Sequence, residues 1–175
     1  MFEKPVVLKD VNVYVEDEDF LGKGEIELPK ITQVVVEHTA MGISGKVEVP
    51  LPGIVEKMEG KLKFSSFDPE ALKRLYDASE AQRLDVRGSV ERYNPATGRM
   101  EEVPVRIVMR AFMKEGAHPT FKQAQNEGPE FTFSAVYWKE EWDGETVLEV
   151  DPFAYIYRVN GRDLLVQTRA NLGLS

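Results

Sequence analysis

The feature that most constrains this chain is the alternation of apolar and polar residues at a period of two. A β-strand sends successive side chains to opposite faces, so this alternation predicts strands with one buried face and one solvated face. The longest example predicts a strand of about ten residues, against a usual five or six. Its apolar positions are Val103, Val105, Ile107, Met109, Ala111 and Met113, with Arg106 and Arg110 among the residues between them.

Further alternating or β-branched segments predict more strands. Residues 94–98 have the composition of a turn, and Asp143-Gly144 is the sequence of a two-residue hairpin turn. Because strands joined by tight turns pair antiparallel, we predict a mainly β fold, built as an antiparallel β-barrel or sandwich. The other predicted strands are residues 11–15, 31–38, 61–65, 84–92, 131–138, 146–150 and 155–159.

One short helix is clearly signalled, over about residues 68–78. Asp68 can cap its first turn, and Pro69 suits the first helical position. Apolar residues at positions i, i+3 and i+4 would bury one face of this helix. These residues are Leu72, Leu75 and Tyr76.

The remaining segments complete one predicted domain. Residues 162–172 predict a C-terminal helix that ends at Gly173, as a C-cap glycine would. The polar stretch 116–128 predicts a loop. Residues 39–60 combine short alternation with glycines and prolines, which predicts an extended arm outside the core. A length of 175 residues suits one domain, so residues 1–175 are predicted to form a single unit with this arm.

Composition excludes several classes of function. Lys and Arg total 22 against 30 Asp and Glu, a net charge of −8, which argues against sequence-independent nucleic-acid binding and against attraction to anionic lipid. The chain has no cysteine, so it has no disulfide, no thiolate metal site and no cysteine nucleophile. Without a long apolar run or a signal-peptide profile, we expect no membrane anchor and a protein kept inside a cell.

Candidate catalytic and binding residues are few. The two histidines, His38 and His118, lie eighty positions apart and are interpreted as surface or strand-end residues. The acidic run 16–19 lacks the spacing of an EF-hand loop and is interpreted as a solvated turn. We therefore predict no catalytic residue, no metal site and no cofactor. The aromatic cluster beside acidic residues is assigned to core and interface packing, not to base stacking; it comprises Phe131, Phe133, Tyr137, Trp138 and Trp142.

Charge is divided unevenly along the chain. The first sixty residues carry six Lys or Arg against twelve Asp or Glu, whereas residues 158–175 carry three Arg against one Asp. Two interpretations stay open at this point. The charges could simply cover solvated faces, or they could support head-to-tail self-association, in which one surface meets a different surface of the next copy.

Seven stretches taken together resemble a known family. They occur in one order over nearly the whole length: residues 12–15 with 27–30, 40–45, 105–114, 137–151, 159–161 and 169–174. In this order they are similar to the major tail tube protein of contractile-tailed bacteriophages and of phage-tail-like bacteriocins. Residues 116–128 match that family's pattern poorly, and Ser175 extends past its usual ending.

The resemblance implies a structural protein that forms hexameric rings, stacked head to tail as the inner tube of a contractile tail. Strands of neighbouring subunits would pair into a continuous inner β-barrel, with a polar and acidic lumen through which DNA passes as unbound cargo. The implied partners are other copies of the chain, the tail sheath protein, and the baseplate and tape-measure proteins. The implied location is the virion tail, assembled in the bacterial host cytoplasm.

The resemblance also implies contact residues. By position, the arm at 39–60 and the C-terminal stretch would meet neighbouring subunits and rings. The candidates in the arm are Met41, Gly42, Ile43, Gly45, Val47, Val49 and Leu51; those in the C-terminal stretch are Arg169, Asn171, Leu172 and Leu174.

Two alternatives stay open. A monomeric β-barrel could bind a small apolar ligand in its interior, which would require a closed barrel with a pocket. An enzyme could use His38 or His118 with a carboxylate, if the two converge in a cleft. The subunit sequence does not separate a phage from a bacteriocin.

Overall fold

The computed structural model describes residues 4–16, 19–20, 24–39, 42, 44–65, 68–124 and 127–174. The predicted mainly β, antiparallel architecture is confirmed. The described elements are β1 (Lys4–Val15), β2 (Asp19–Phe20), β3 (Gly24–Glu27), β4 (Gln33–His38), β5 (Val47–Val55), β6 (Met58–Phe64), α1 (Pro69–Tyr76), β7 (Gln82–Asn94), β8 (Arg99–Ala117), β9 (Glu130–Trp142), β10 (Glu145–Asp151), β11 (Ile156–Val159), β12 (Arg162–Asp163) and α2 (Val166–Asn171).

The strands form one large sheet and one small sheet. The large sheet has the order β12-β11-β10-β9-β8-β7-β1-β2, while β4 and β5 form a separate two-stranded sheet. Strand β9 divides the large sheet into two branches: its second half pairs with β10, as at Trp138 and Val150, and its first half pairs with β6, as at Phe133 and Gly60. Strand β3 extends the second branch by pairing with β6.

Strand β8 runs for 19 residues, well beyond the predicted ten. Its start pairs with the end of β7, beginning at Asn94 and Arg99, and its end pairs with the start of β9, where Ala117 opposes Glu130. The extra residues are polar at the start and glycine-containing at the end, so they lack the apolar alternation that predicted the strand. The predicted loop 116–128 consequently begins two residues later than expected.

The two predicted turns are confirmed by their backbone. Asp143 and Gly144 have φ of 51° and 80°, the left-handed pair that a type I′ hairpin turn requires. At the other turn, the Gly98 N–H donates to the Asn94 carbonyl at 2.9 Å, and Gly98 has φ of 67°.

The core lies where β6 and α1 cover one face of β7, β8 and β9. On β8 the predicted apolar face is confirmed, with Met109 and Ala111 fully buried. Helix α1 begins at the predicted cap, because the Asp68 carboxylate accepts the Glu70 N–H at 3.0 Å, and it buries Ala71 and Leu75. The other fully or nearly fully buried large side chains are Val15, Met58, Leu62, Leu84, Phe131, Phe133 and Val150.

The C-terminal helix is shorter than predicted. Helix α2 covers Val166–Asn171, while Arg162 and Asp163 form strand β12 instead of its first turn. The reason is the turn at Asn160 and Gly161, whose φ values of 46° and 77° return the chain onto β11 before a helix can begin. Gly173 has φ of 71°, as expected of a glycine C-cap.

The burial of Phe133 yields a test of this core. Replacing Phe133, which is fully buried against Gly60, with alanine should lower the free energy of unfolding by about 3–5 kcal/mol, because a large cavity remains. The matched change Phe121→Ala removes a ring that is 82% exposed and should cost less than about 0.5 kcal/mol. Urea denaturation followed by circular dichroism measures both; equal losses would contradict this description of the core.

Candidate assembly surfaces

The β4–β5 sheet is an arm with one apolar face. Cross-strand pairs share a face, and the register places Val36 opposite Val49 and His38 opposite Val47. We call Val36, Val47, Val49 and Leu51 the apolar arm face; each is 37–44% exposed. The opposite face carries Val35, Glu37, Glu48 and Pro50.

The base of the arm rests on the C-terminal region. Gly53 of β5 lies against Leu165, and a Cβ added at Gly53 would approach the Leu165 side chain to 2.7 Å. Gln33 fixes the base from the other strand, since its side-chain oxygen accepts the Gly53 N–H at 3.0 Å. The two-stranded sheet spans residues 33–55, and residues 58–60, which we had included in the arm, belong to β6 of the large sheet.

The contact residues predicted in the arm fall at two places. Val47, Val49 and Leu51 lie on the apolar arm face. Gly42 and Gly45 lie in the connecting loop with φ of 95° and 125°, values that disfavour any residue with a Cβ. Met41 and Ile43 lie outside the described residues.

Arg169, another predicted contact residue, is held within its own chain. Its guanidinium donates to the Asp163 carboxylate at 2.7 Å and to the Tyr155 carbonyl at 2.6 Å. Burial, the largest influence, raises the pKa of Asp163, but hydrogen bonds from Arg169 and from the Leu165 N–H bring the net pKa below its usual value. Arg169 therefore fastens α2 to the turn before β11.

The other predicted C-terminal residues face outward. Leu172 and Leu174 are 56% and 46% exposed. Asn171 is exposed and accepts a hydrogen bond from Gln167 one helical turn earlier, at 2.8 Å. The structure thus presents two leucines at the end of the chain and uses the polar residues to order the helix beneath them.

The face of the sheet opposite the core is polar, and Asp85 lies at its centre. Asp85 is completely buried, and its carboxylate accepts hydrogen bonds from Arg87 at 2.7 Å and from Arg106 at 2.6 Å. Burial, the largest influence, raises the pKa of Asp85, but the two guanidinium groups bring the net pKa below its usual value. The Arg87 guanidinium also lies 4.6 Å from the centre of the Tyr14 ring.

Several charges on this polar sheet face form ion pairs. Lys9 forms ion pairs with Glu91 and Glu102, and Lys139 forms one with Glu141 at 2.6 Å. Both signs of charge are therefore present on this face. Near β10, the Tyr137 hydroxyl donates to the Glu149 carboxylate at 3.1 Å. Burial and this carboxylate together raise the pKa of Tyr137 to about 12.

The core face of the sheet is only partly covered, which leaves an apolar groove of about 620 Å³. One wall is the sheet, including Leu8, Val105 and Trp142, and the other is the segment from Gly24 to Ile31, including Leu28. Both tryptophans of the chain line this groove. We call this cavity, with all its lining residues, the apolar groove. The remaining lining residues are Val11, Glu25, Ile26, Pro29, Val86, Gly88, Val90, Ile107, Trp138 and Glu140.

The two tryptophans differ in their hydrogen bonding. The Trp142 indole N–H donates to the Glu140 carboxylate at 2.7 Å. The Trp138 indole nitrogen, in a side chain that is 3% exposed, has no hydrogen-bond partner among the described residues. A buried donor without an acceptor is costly, so Trp138 contributes its stability through packing and not through a hydrogen bond.

Strand β1 presents an open edge. Strand β2 pairs only with Tyr14 and Val15, so most of the β1 edge facing away from β7 has no strand partner in the described part of the chain. The Glu16 N–H donates to the Arg83 carbonyl of β7, and strand alternation then directs the Val11 N–H outward. In agreement, the Val11 N–H donates to the Asp10 side chain at 2.9 Å.

The total exposed surface is large for the mass. The chain exposes 11,599 Å², whereas a folded monomer of 19.9 kDa exposes about 8,700 Å². The chain therefore carries roughly a third more surface than a compact monomer, and an excess of this size is what permanent interfaces bury.

The histidines do not form a site. His38 is exposed on the arm, and His118 contacts the Tyr76 hydroxyl at 3.2 Å near α1. Within the described ranges, no group of three or more metal-ligating side chains is placed to hold an ion. No helix of the described chain has the length and hydropathy needed to cross a membrane.

These surfaces agree with the sequence comparisons. The chain matches the family "Phage tail tube protein FII" over residues 5–173. It belongs to that family. The tail tube protein of Escherichia phage P2 is 28% identical over 171 residues, which cover 97% of this chain and 98% of that protein. As a member of this family, the chain is a structural component of a tail, not an enzyme.

Solved structures confirm the fold. A chain of the PVC sheath–tube complex in its extended state, from an extracellular contractile injection system, gives a TM-score of 0.55 at 15% identity and covers 78% of this chain and 91% of that one. The sheath/tube terminator of the same system gives 0.53 at 16% identity, covering 81% and 99%. The cap that terminates the anti-feeding prophage tube gives 0.51 at 14% identity, covering 81% and 93%.

Family membership decides between the functional alternatives. The tail tube resemblance is confirmed, and it favours neither the monomeric ligand-binding barrel nor the histidine enzyme. The described large sheet also has three ends, β12, β3 and β2, and is not closed as the ligand-binding barrel would require. The periodicity of the sequence could not predict that Val36 is part of the apolar arm face, nor could it predict the apolar groove or the open β1 edge. All three depend on which strands pair.

The Asp85 cluster predicts a dependence of stability on pH. Because the folded-state pKa of Asp85 is below its unfolded value, its contribution is complete above about pH 4 and is lost as the pH falls through the folded-state value. Asp85→Asn should lower the free energy of unfolding at pH 7 by about 1–3 kcal/mol. At pH 3 the difference in free energy of unfolding between Asp85→Asn and the native protein should be smaller.

Urea denaturation at both pH values measures this effect. Asp143→Asn is the matched control, since Asn-Gly suits the same turn, and it should leave the stability unchanged at both. A loss in Asp85→Asn that is equal at pH 7 and pH 3 would contradict the proposed role of the charge.

Proposed function

We propose that this tail tube protein assembles into hexameric rings that stack head to tail and form a conduit for DNA. The observation that carries the proposal is the open β1 edge in a chain with roughly a third more surface than a compact monomer needs. An exposed strand edge is a template for pairing with another chain. A ring closed by edge pairing leaves no such edge unpaired.

The β1 edge is suited to pair with a strand of the neighbouring subunit. Outward N–H groups such as that of Val11 would donate to that strand in place of the Asp10 side chain. Val7 and Leu8, which are 56% and 55% exposed, would be covered by the same neighbour. Edge pairing around the ring would join the sheets of six copies into one inner barrel.

The arm and the C-terminal end supply the contacts between subunits and rings in this proposal. Val47, Val49 and Leu51 would be buried through the apolar arm face, and Leu172 and Leu174 through the end of the chain. Gly42 and Gly45 shape the loop of the arm, while Asn171 and Arg169 order the helix that presents the leucines. Met41 and Ile43 remain predicted contacts.

The polar sheet face is the candidate lining of the conduit. Its cations are interspersed with carboxylates, as Arg87 and Arg106 are with Asp85, so the face lacks the continuous positive surface that displaces counterions from DNA phosphates. DNA would therefore pass without stable binding, because its phosphates meet a face of mixed charge. The outer surface would meet the sheath, and the ends and lumen of the tube would meet the baseplate and tape-measure proteins.

A proline at position 11 tests edge pairing. Proline is tolerated on an edge strand where the N–H points away from the sheet, so Val11→Pro should leave the monomer folded. It should abolish rings and tubes, since it removes one outward N–H and places a ring on the edge. Electron microscopy and sedimentation velocity of the purified protein measure assembly, and circular dichroism checks the fold.

The control is Val11→Ala, which shortens the same side chain but keeps the N–H, and which should still form rings. Rings formed by Val11→Pro would show that this edge does not pair between subunits. A native protein that stays monomeric at high concentration, even with its tail partners, would overturn the proposed function itself.

A further inference from the structure

We infer that the apolar groove is the binding site for the apolar arm face of the next copy of this chain. The inference rests on the proposed function, because it names the two surfaces that meet when copies stack. Neither surface is satisfied within one chain.

The groove is an unfinished part of the core. Sheet residues Val105 and Ile107 continue the buried face of β8, but at this end β3 and the segment after it stand apart from the sheet and leave about 620 Å³ open. Leu8 and Leu28 on its two walls are 55% and 37% exposed. Its lining is mainly aliphatic and aromatic, so burial under another apolar surface is favourable.

The exposed tryptophan of the groove suits an apolar occupant. Trp142 is 38% exposed, whereas Trp138 is almost completely buried already. The Trp142 indole N–H has an acceptor within the chain, the Glu140 carboxylate at 2.7 Å. An apolar surface laid into the groove would therefore cover the Trp142 ring without leaving its donor unpaired.

The arm is the surface of this chain that most needs covering. An isolated two-stranded sheet is marginally stable in water, and the β4–β5 sheet contacts the rest of the chain at its base, where Gly53 lies against Leu165 and Val55 packs against the core. Its apolar arm face is continuous across both strands through Val36 and Val49. Packing that face into an apolar groove would stabilise the arm as well as bury the groove.

Geometry selects a second copy as the occupant. Each chain has one apolar arm face and one apolar groove, built from different residues, so pairing them between copies makes a head-to-tail contact that repeats. The surface excess over a compact monomer is of the size that permanent interfaces bury. The groove and the arm together contribute to that excess.

Adjacent valines on β4 provide a matched test of the arm. Val36→Glu places a charge on the apolar arm face, whereas Val35→Glu places the same charge on the opposite face at a position that is 50% exposed. Val36→Glu should raise the protein concentration needed for assembly by about tenfold or more, because a charge would be buried without a partner. Val35→Glu should assemble like the native chain.

Tryptophan fluorescence reports the groove directly, since both tryptophans of the chain line it. Assembly of the native protein and of Val35→Glu should shift the emission to shorter wavelength as water leaves Trp142. Val36→Glu should show no shift at the same concentration. The groove-side change Leu28→Glu should behave like Val36→Glu, while Leu28→Met, which keeps the wall apolar, should behave like the native chain.

Mixing the two defective variants distinguishes a shared contact from two separate defects. Val36→Glu keeps an intact groove and Leu28→Glu keeps an intact arm, so an equal mixture should recover part of the emission shift and should assemble at a lower concentration than either variant alone. Absence of any shift in the mixture would overturn the inference. So would native-like assembly of Val36→Glu, or an equal defect in Val35→Glu.

These outcomes are separable from failure of the proposed function. If the native protein forms tubes and Val36→Glu forms them equally well, the groove has a different occupant and only this inference falls. A blue shift produced in the monomer by a small apolar molecule, with no effect of Val36→Glu on assembly, would also overturn it. If the native protein forms no rings at all, the proposed function is wrong, whatever the arm and groove variants do.

Discussion

The continuous pairing of β8 with β7 on one side and β9 on the other is the constraint on which the rest of the structure depends. The β7 ladder covers residues 99–111 of β8 and the β9 ladder covers residues 105–117, so together they span the 19-residue strand and pair its middle on both edges. They also give every side chain a fixed face, because a slip of one residue would exchange the core and polar faces. The groove, the Asp85 cluster and the partition of β9 all follow from this register.

The two faces of that sheet differ in polarity and in their contact with water. The core face excludes water under β6 and α1, and it runs on into the groove, where one chain alone does not complete the burial. The polar face mixes both signs of charge, with Asp85 buried between two half-exposed arginines. The proposed tube would use both properties, since neighbouring copies would cover the apolar surface while the polar face would stay in water.

Strands, turns and α1 could be predicted well because each has a local cause. Alternation fixes the faces of a strand, Asp143-Gly144 suits only a narrow range of turns, and Asp68 with Pro69 signals a helix start. The ends of β8 and the start of α2 could not be predicted, since pairing with β9 and the turn at Gly161 override weak local preference. The predicted Arg169 contact was placed by resemblance, and the structure shows the side chain engaged within its own chain.

By itself the sequence determined a β-rich, cysteine-free, acidic chain with an arm, and through an ordered set of motifs it indicated the tail tube family. Those properties depend on residues close together along the chain. Only the tertiary structure decided which edge is open, that Val36 and Val49 share one face, and that both tryptophans line one groove. Each of these depends on strand register and sheet order, which bring together residues far apart in sequence and leave no local signal.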